Sequence, residues 1–186
     1  LFRSQISYID KPLQLTDNNY KNELTFIYNN VYRNGLIHTL CNKLANNTLI
    51  LVNHIEHGEA LYDFLQSLSD KQVFFIRGDV DVEDRDKVKE IMERDNNVIC
   101  IAISAIFSTG VNIKNLHNII FAAGGKSFIR TVQSIGRGLR KHVNKEQLVI
   151  IDICDNLKYG LLHSNKRREI YAKEKIKYSV KTIKQT

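Results

Sequence analysis

The sequence from position 48 to position 76 reads TLILVNHIEHGEALYDFLQSLSDKQVFFI, and it predicts a strand, a helix and a second strand in succession. Thr48–Val52 is an unbroken run of apolar and β-branched residues, which is typical of a strand covered on both faces. Between positions 59 and 68 the apolar residues recur at helical spacing, and Val73–Ile76 is apolar again. This alternation indicates an α/β domain built on a parallel sheet.

The same alternation continues on the carboxyl-terminal side of this unit. We predict a charged helix over 82–93 and three further buried strands over 98–103, 118–122 and 148–153. The fold class that follows is a parallel β-sheet flanked by helices.

The two flanks of the chain differ from this central region. Residues 1–20 suggest a linker or an entry strand, and residues 21–44 suggest one or two helices beside the sheet. Residues 160–178 predict a long basic helix. We therefore expect an entry segment over 1–20, a domain over 21–157, and a basic C-terminal helix and tail over 158–186.

Polar, small or basic residues follow the predicted strands directly. Parallel α/β sheets place ligand sites at the carboxyl ends of their strands, so these positions form a candidate site. They are Asn53, His54, Arg77, Gly78, Ser104 and, after the fourth strand, Lys126.

Residues 133–140 read QSIGRGLR and carry the most distinctive side chains of the chain. On a helix, Gln133, Arg137 and Arg140 fall on one face. Guanidinium groups match phosphate oxygens in shape and charge, so this face suits a polyphosphate. Gly136 and Gly138 each cost a helix interior about 1 kcal/mol, which indicates that another group approaches the backbone closely. The alternative is an ordinary solvated face.

Composition narrows the class of protein. A net charge of +7 favours a polyanionic partner, and positions 158–186 carry nine Lys or Arg against two Glu. Three dispersed cysteines without a CxxC pair argue against a zinc site and fit a reducing cytoplasm. No apolar run is long enough to span a membrane. Because the chain starts at Leu1 without an initiator methionine, we expect a fragment of a longer protein.

Four separate segments together resemble one family. Residues 133–140 resemble motif VI of superfamily 2 helicases, residues 104–113 resemble motif V, and residues 49–54 resemble motif IV. Gly78 followed by Arg85 matches the spacing between the third and fourth strands of that family. The chain is therefore similar to the second RecA-like domain of these helicases over residues 45–155, and within the superfamily it is most similar to phage recombination helicases.

The resemblance implies a role for each residue of the ATP-facing set. Arg137 and Arg140 would reach the γ-phosphate of ATP held by another domain, and one of them would act as an arginine finger. Gln133 would help to position the same network. Gly110 and Gly136 would let the chain approach the nucleotide closely. Asn112 stands where many relatives have an aspartate that contacts the ribose, and an amide can still bind that hydroxyl.

The resemblance also implies a nucleic-acid track at the strand ends. Ser104 stands where relatives use threonine, and its hydroxyl would bind a backbone phosphate. Asn53, His54, Arg77 and Gly78 would lie along the same track, whereas Lys126 would contact either ATP or a phosphate. Simpler interpretations remain open, since Ser104 could cap a short helix and His54 could be an ordinary surface side chain. Arg85 could pair with a neighbouring acid.

The sequence lacks a phosphate-binding P-loop. Gly125, Lys126 and Ser127 resemble the end of one, but position 120 is Ile where that motif requires Gly. An Asp-Glu box that could hold Mg²⁺ is also missing from the sequence. We therefore expect this chain to be half of an active site and inactive alone, with ATP and Mg²⁺ bound mainly by an N-terminal RecA-like domain of the same protein.

The function implied by this resemblance is that of the C-terminal motor domain of an ATP-dependent DNA helicase or translocase, engaged in recombination, branched-DNA unwinding or branch migration. The partner would be DNA, contacted mostly through its backbone, and RNA is left open as an alternative. No membrane partner is expected. The location would be cytoplasmic, in the host if a phage encodes the protein. The alternatives are a duplex translocase of the restriction or remodelling type, and a nucleic-acid-binding module without catalysis.

Overall fold

The computed structural model describes residues 2–10, 19–77, 82–107, 113–123, 148–173 and 175–184. The strands in these ranges are β1 (Phe2–Asp10), β2 (Thr48–Val52), β3 (Val73–Ile76), β4 (Ile99–Ile103), β5 (Asn118–Phe121), β6 (Leu148–Asp155) and β7 (Tyr178–Lys184). The helices are α1 (Tyr20–Asn29), α2 (Val31–Lys43), α3 (Ile55–Leu68), α4 (Val82–Arg94), α5 (Ser104–Phe107) and α6 (Lys158–Lys173).

These strands form one sheet in the order β3-β4-β2-β5-β6-β1-β7. Every pairing in it is parallel, from Val73 beside Ile99 at one side to Ser4 beside Tyr178 at the other. The predicted parallel sheet with flanking helices is thereby confirmed. All strands consequently end at the same side of the sheet, which is called the carboxyl edge below; the opposite side is the amino edge.

The apolar strands have two buried faces because helices cover the sheet on both sides. Successive residues of a strand point to opposite faces, so Leu49 and Leu51 pack with Met92 of α4, whereas Ile50 and Val52 pack with α2 and α3. The two clusters also contain alternate residues of β4, β5 and β6. This two-sided burial explains why these strands read as continuous apolar runs rather than as alternating patterns.

Two asparagines define the helical hairpin on the amino-terminal flank. The side chain of Asn19 accepts a hydrogen bond of 2.9 Å from the backbone nitrogen of Asn22, at the start of α1. The side chain of Asn30 accepts one of 2.9 Å from the nitrogen of Arg33, at the start of α2. Asparagine is a favoured N-cap residue, and Asn30 therefore ends one helix and begins the next.

Both flanks of the chain extend the sheet. The entry-strand interpretation of residues 1–20 fits β1, which lies between β6 and β7. The basic helix predicted over 160–178 begins and ends earlier, at Lys158 and Lys173. Residues 178–184, which we expected to be a tail, form β7 because β1 offers an open edge for parallel pairing.

Helix α6 is less exposed than its many basic residues suggested. Arg167 is buried and donates hydrogen bonds of 2.9 and 2.8 Å from Nε and Nη2 to the two carboxylate oxygens of Asp152 on β6. The hydroxyl of Tyr171 donates a third bond of 3.0 Å to the same carboxylate. This bidentate pair neutralises one of the nine cations of the C-terminal segment. Arg167 therefore belongs to the core and not to a binding surface.

None of the helices in the described part of the chain combines the length and the hydropathy that crossing a membrane requires.

Candidate nucleic-acid interface

The carboxyl edge brings together three of the polar residues predicted from the strand ends. Arg77, Ser104 and Asn53 follow β3, β4 and β2, and these strands are neighbours in the sheet. They come from positions as far apart as 53 and 104, so their proximity is a product of the parallel topology alone. This end of the sheet is the candidate interface.

Ser104 and Asn53 are directly bonded. The Oγ of Ser104 donates a hydrogen bond of 2.7 Å to Oδ1 of Asn53. Ser104 is only 5% exposed and begins the short helix α5, whereas Asn53 is half-buried. Because the amide oxygen of Asn53 accepts from Ser104, the amide nitrogen is the group of this side chain that can donate to a phosphate oxygen.

His54 lies beside Asn53 on the surface. It occupies the N-cap position of α3, its side chain makes no capping hydrogen bond, and it is exposed. Its ring centroid is 5.9 Å from that of Tyr28 on α1, with the planes tilted by 44°. An exposed ring held against a neighbour suits both the surface interpretation and the predicted contact, so the nucleic-acid role of His54 stays a prediction.

Arg77 is held loosely at the end of β3. Its Nη2 lies 3.1 Å from Oε1 of Glu59, and both side chains are 43% exposed. Its guanidinium also lies over the ring of Phe75, 5.4 Å from the centroid. Exposed ion pairs of this kind contribute at most about 1 kcal/mol, so Arg77 can exchange Glu59 for a phosphate at little cost.

A buried histidine that the sequence analysis missed lies beneath this surface. His57 is completely buried, and its ring stacks on that of Tyr28 at 4.7 Å with an interplanar angle of 20°. Burial, and then the nearby charge of Arg33 and the ring of His54, hold the pKa of His57 well below its usual value, so the ring is neutral. The signal was present in the sequence, since His57 precedes the core residues Leu61 and Leu65 by four and eight positions.

A buried arginine joins two strand ends behind the interface. Arg33 of α2 donates from Nε to Oδ1 of Asp155 at 2.8 Å, and from Nη2 to the carbonyl oxygen of Ala122. Ala122 lies where the chain leaves β5, and Asp155 is the last residue of β6. Arg33 therefore fixes the carboxyl edge at the point from which the chain continues toward the arginine segment at 133–140. No local pattern in the sequence could have identified this pair.

Many of the predicted site residues lie outside the described residues. The ATP-facing set of Gln133, Arg137, Arg140, Gly136, Gly110 and Asn112 is among them, as are Gly78 and Lys126. The side chain of Arg85 also lies outside. The roles that the family resemblance implies for these residues stay predictions.

The described residues contain no group of three or more His, Cys, Asp and Glu side chains that could hold a metal ion. Cys41, Cys100 and Cys154 are free and buried. Burial raises the pKa of the Cys100 thiol to about 12, so it packs as a small apolar group.

The RecA-like second domain of helicases has an architecture of this kind, a parallel sheet covered by helices on both faces. The family model of the helicase conserved C-terminal domain matches residues 32–142, which is more than half of the chain. The chain belongs to this family.

Among curated proteins, the chain is similar to the ATP-dependent DNA helicase UvsW of Enterobacteria phage T4. The two are 34% identical over 189 aligned positions, which cover 91% of this chain and 38% of the phage protein. The chain thus spans less than half the length of that relative. The crystal structure of T4 UvsW superimposes with a TM-score of 0.82 at 32% identity, and covers 98% of this chain and 42% of that one.

A more distant solved structure shares the fold alone. The C-terminal domain of the DEAD-box protein Dbp5 has a TM-score of 0.65 at 15% identity, and the match covers 96% of this chain and 89% of that one. The likeness in fold extends over nearly the whole of both chains.

Proposed function

We propose that this chain is the C-terminal motor domain of an ATP-dependent DNA helicase or translocase that acts on branched or recombining DNA. The observation that carries the proposal is the 34% identity to an ATP-dependent DNA helicase across 91% of the chain. A relationship at this level supports a shared motor as well as a shared fold. The complete activity would belong to a longer protein with a second, N-terminal RecA-like domain.

The ATP-facing residues would lie between the two domains. Arg137 and Arg140 would contact the terminal phosphate of ATP bound to the N-terminal domain, with Gln133 supporting them and Gly110, Asn112 and Gly136 close to the nucleotide. β5 ends at the carboxyl edge, beside the bond between Arg33 and the carbonyl of Ala122. The segment with the arginines therefore leaves the sheet at the edge that a partner domain would face, which fits this arrangement.

ATP and Mg²⁺ would supply the phosphoryl-transfer chemistry when bound by that N-terminal domain. This chain would contribute positive charge where negative charge develops on the phosphate oxygens. Arginine suits this task because it stays protonated at any physiological pH and presents its donors in a fixed plane.

The nucleic-acid track would run along the carboxyl edge. It would consist of the bonded pair of Asn53 and Ser104, with His54 and Arg77 to the sides. These side chains would offer amide, imidazole and guanidinium donors to one strand of DNA. Gly78 and Lys126 would extend the same track. Contacts of this type bind phosphates and not bases, so we expect little sequence preference and an affinity that falls steeply with salt.

The test of the motor role is a single substitution in the full-length protein. Arg140→Ala should reduce DNA-stimulated ATP hydrolysis by about a thousandfold or more, because an arginine finger contributes about 10³ to 10⁵ in rate. Binding of a fluorescent ATP analogue should change little, since the nucleotide is held mainly by the other domain.

The matched control is Arg94→Ala. Arg94 is an exposed arginine at the end of α4, on the amino edge, and its partner is the neighbouring Asp95. This variant should hydrolyse ATP at the wild-type rate. If Arg140→Ala also kept near-normal turnover, the proposed role of this residue would be wrong.

A further inference from the structure

A narrow cleft walled by aromatic rings opens at the carboxyl edge between α1, α3 and α6. Its lining includes Tyr20, Tyr28, His54, His57 and His163, together with Asn53 and Glu23. The ring of Tyr20 meets that of Tyr159 edge-on at 5.4 Å and that of His163 at 5.9 Å. The proposed phosphate track of Asn53 and His54 therefore continues into a surface of a different chemistry.

The two helices that carry the outer rings are joined by hydrogen bonds. The carboxylate of Glu23, which is 1% exposed, accepts hydrogen bonds of 2.9 and 3.0 Å from the backbone nitrogen of Tyr159. It accepts another, of 3.2 Å, from the nitrogen of Gly160. A buried carboxylate at a helix N-terminus satisfies free amide groups and interacts favourably with the helix dipole. Glu23 thereby joins α6 to α1, the two helices that carry Tyr159 and Tyr20.

The interior of the cleft is too small for a base. Only about 20 Å³ is open to the centre of a water molecule, which is room for about one water. Both ring nitrogens of His57 and the hydroxyl of Tyr28 are buried there without a hydrogen-bond partner among the described residues. The interior thus suits one small polar group, and a larger planar ligand must stack on the outer rings.

One exposed cation lies beside the outer rings. Lys158 is exposed, and its Nζ lies 5.2 Å from the ring centroid of Tyr159. Glu23 is turned inward to α6, so its charge does not face the surface. Glu56, exposed on the first turn of α3, is the acid that would oppose a phosphate here. Aromatic rings beside a cation are a feature of proteins that bind single-stranded nucleic acid by stacking.

We propose that unpaired bases of single-stranded DNA stack on the outer aromatic surface formed by Tyr20, Tyr159 and His163. The domain would then hold one strand in two ways, through phosphates at Asn53 and Ser104 and through bases at this surface. The inference rests on the proposed DNA-translocating function and adds a base contact to it. Tyr20 is 39% exposed, and it is more open to solvent than Tyr159 and His163, which are half-buried.

The experiment compares two ligands with the full-length protein. One is a short fluorescent oligothymidine, and the other is an abasic oligodeoxyribose phosphate of the same length and charge. Fluorescence anisotropy at fixed salt should show that the wild-type protein prefers the oligothymidine. Tyr20→Ala should weaken binding of the oligothymidine about fivefold or more, and leave binding of the abasic strand unchanged.

Two further variants make the comparison specific. Tyr20→Phe keeps the ring and should retain the wild-type preference. Tyr178→Ala removes a tyrosine of nearly equal exposure, 37%, from the start of β7 on the amino edge, and should bind both ligands like the wild type.

The outcomes separate this inference from the proposed function. If the wild-type protein binds both strands equally, or if Tyr20→Ala weakens both equally, the stacking surface is wrong while the phosphate track stands. If the protein binds neither strand at low salt, both the stacking surface and the DNA-translocating function are wrong.

Discussion

Nε of Arg33 donates a hydrogen bond of 2.8 Å to Oδ1 of Asp155, a residue 122 positions later in the chain, and both side chains are buried. The same guanidinium donates to the carbonyl oxygen of Ala122. One side chain thus ties α2 to the ends of β5 and β6. In the chain, these two strands precede and follow the segment that contains Arg137 and Arg140.

Replacing Arg33 with methionine should be strongly destabilising. Arg33→Met removes the cation and leaves the Asp155 carboxylate buried and unpaired, which typically costs about 3–5 kcal/mol. The free energy of unfolding from urea titration, with equal slopes for both proteins, measures this loss. Arg94→Met breaks an exposed pair with Asp95 and should cost less than about 1 kcal/mol. Equal losses in the two variants would show that the buried pair has no special role.

Two glycines in neighbouring helices should respond to alanine in opposite directions. A Cβ at Gly58 of α3 would overlap the ring of Phe75, which the guanidinium of Arg77 covers from above. Gly58→Ala should therefore destabilise the domain by about 1–3 kcal/mol through overpacking. A Cβ at Gly35 of α2 would have nothing within 4 Å, so Gly35→Ala should stabilise it by about 0.4–1 kcal/mol.

Thermal unfolding of the three proteins measures both glycine effects. Gly58→Ala should melt below the wild type and Gly35→Ala above it. A rise in melting temperature for Gly58→Ala would mean that the Phe75 ring moves away at no cost, and the close contact would then not explain the glycine.

Stability should fall at acidic pH because of His57. Its pKa in the folded protein is well below its usual value, whereas an unfolded histidine has a pKa of about 6.5. Below about pH 6.5 the unfolded chain binds a proton that the folded chain does not, so the free energy of unfolding decreases as pH falls. The limiting slope is about 1.4 kcal/mol per pH unit.

The variant His57→Phe tests this, because phenylalanine keeps a ring to stack on Tyr28 and cannot be protonated. Urea unfolding at pH 7.5 and pH 5.0 should show a smaller acid loss for the variant than for the wild type. The other titrating groups are common to both proteins and cancel in the comparison. An identical acid loss in the two proteins would contradict the assigned neutral state.

The elements that the sequence predicted well are those whose pattern is local. Thr48–Val52 and Val73–Ile76 have the predicted bounds because continuous apolar runs flanked by polar residues define a buried strand. β7 was missed because its pairing depends on the free edge of β1, at the other end of the chain. The sequence could not show that pairing, since the basic residues around position 178 look like a solvated helix.

The sequence predicted where the candidate site lies, but not the contacts that hold its side chains. Strand ends of a parallel sheet meet at one edge, which sufficed to place Asn53 and Ser104 near each other. The contacts behind them, such as the pair of Arg33 and Asp155, connect residues without a shared local pattern. Arg167 shows the same limit, because a cation buried against Asp152 cannot be told from a surface cation by charge alone.

The hydrogen bond between Ser104 and Asn53 should make their contributions to DNA binding interdependent. In the full-length protein, Asn53→Ala and Ser104→Ala should each weaken binding of single-stranded DNA. The first removes a hydrogen-bond donor to a phosphate, and the second removes the hydroxyl that holds the Asn53 amide. The effects of substitutions at two residues that share a hydrogen bond are not additive. The double variant should therefore lose less binding free energy than the sum of the two single losses, with a coupling energy of about 0.5–3 kcal/mol. Anisotropy titrations of the four proteins at one salt concentration give this coupling, and Ser104→Thr, which keeps the hydroxyl, should bind like the wild type. Strict additivity would mean that the 2.7 Å bond does not orient Asn53 toward DNA.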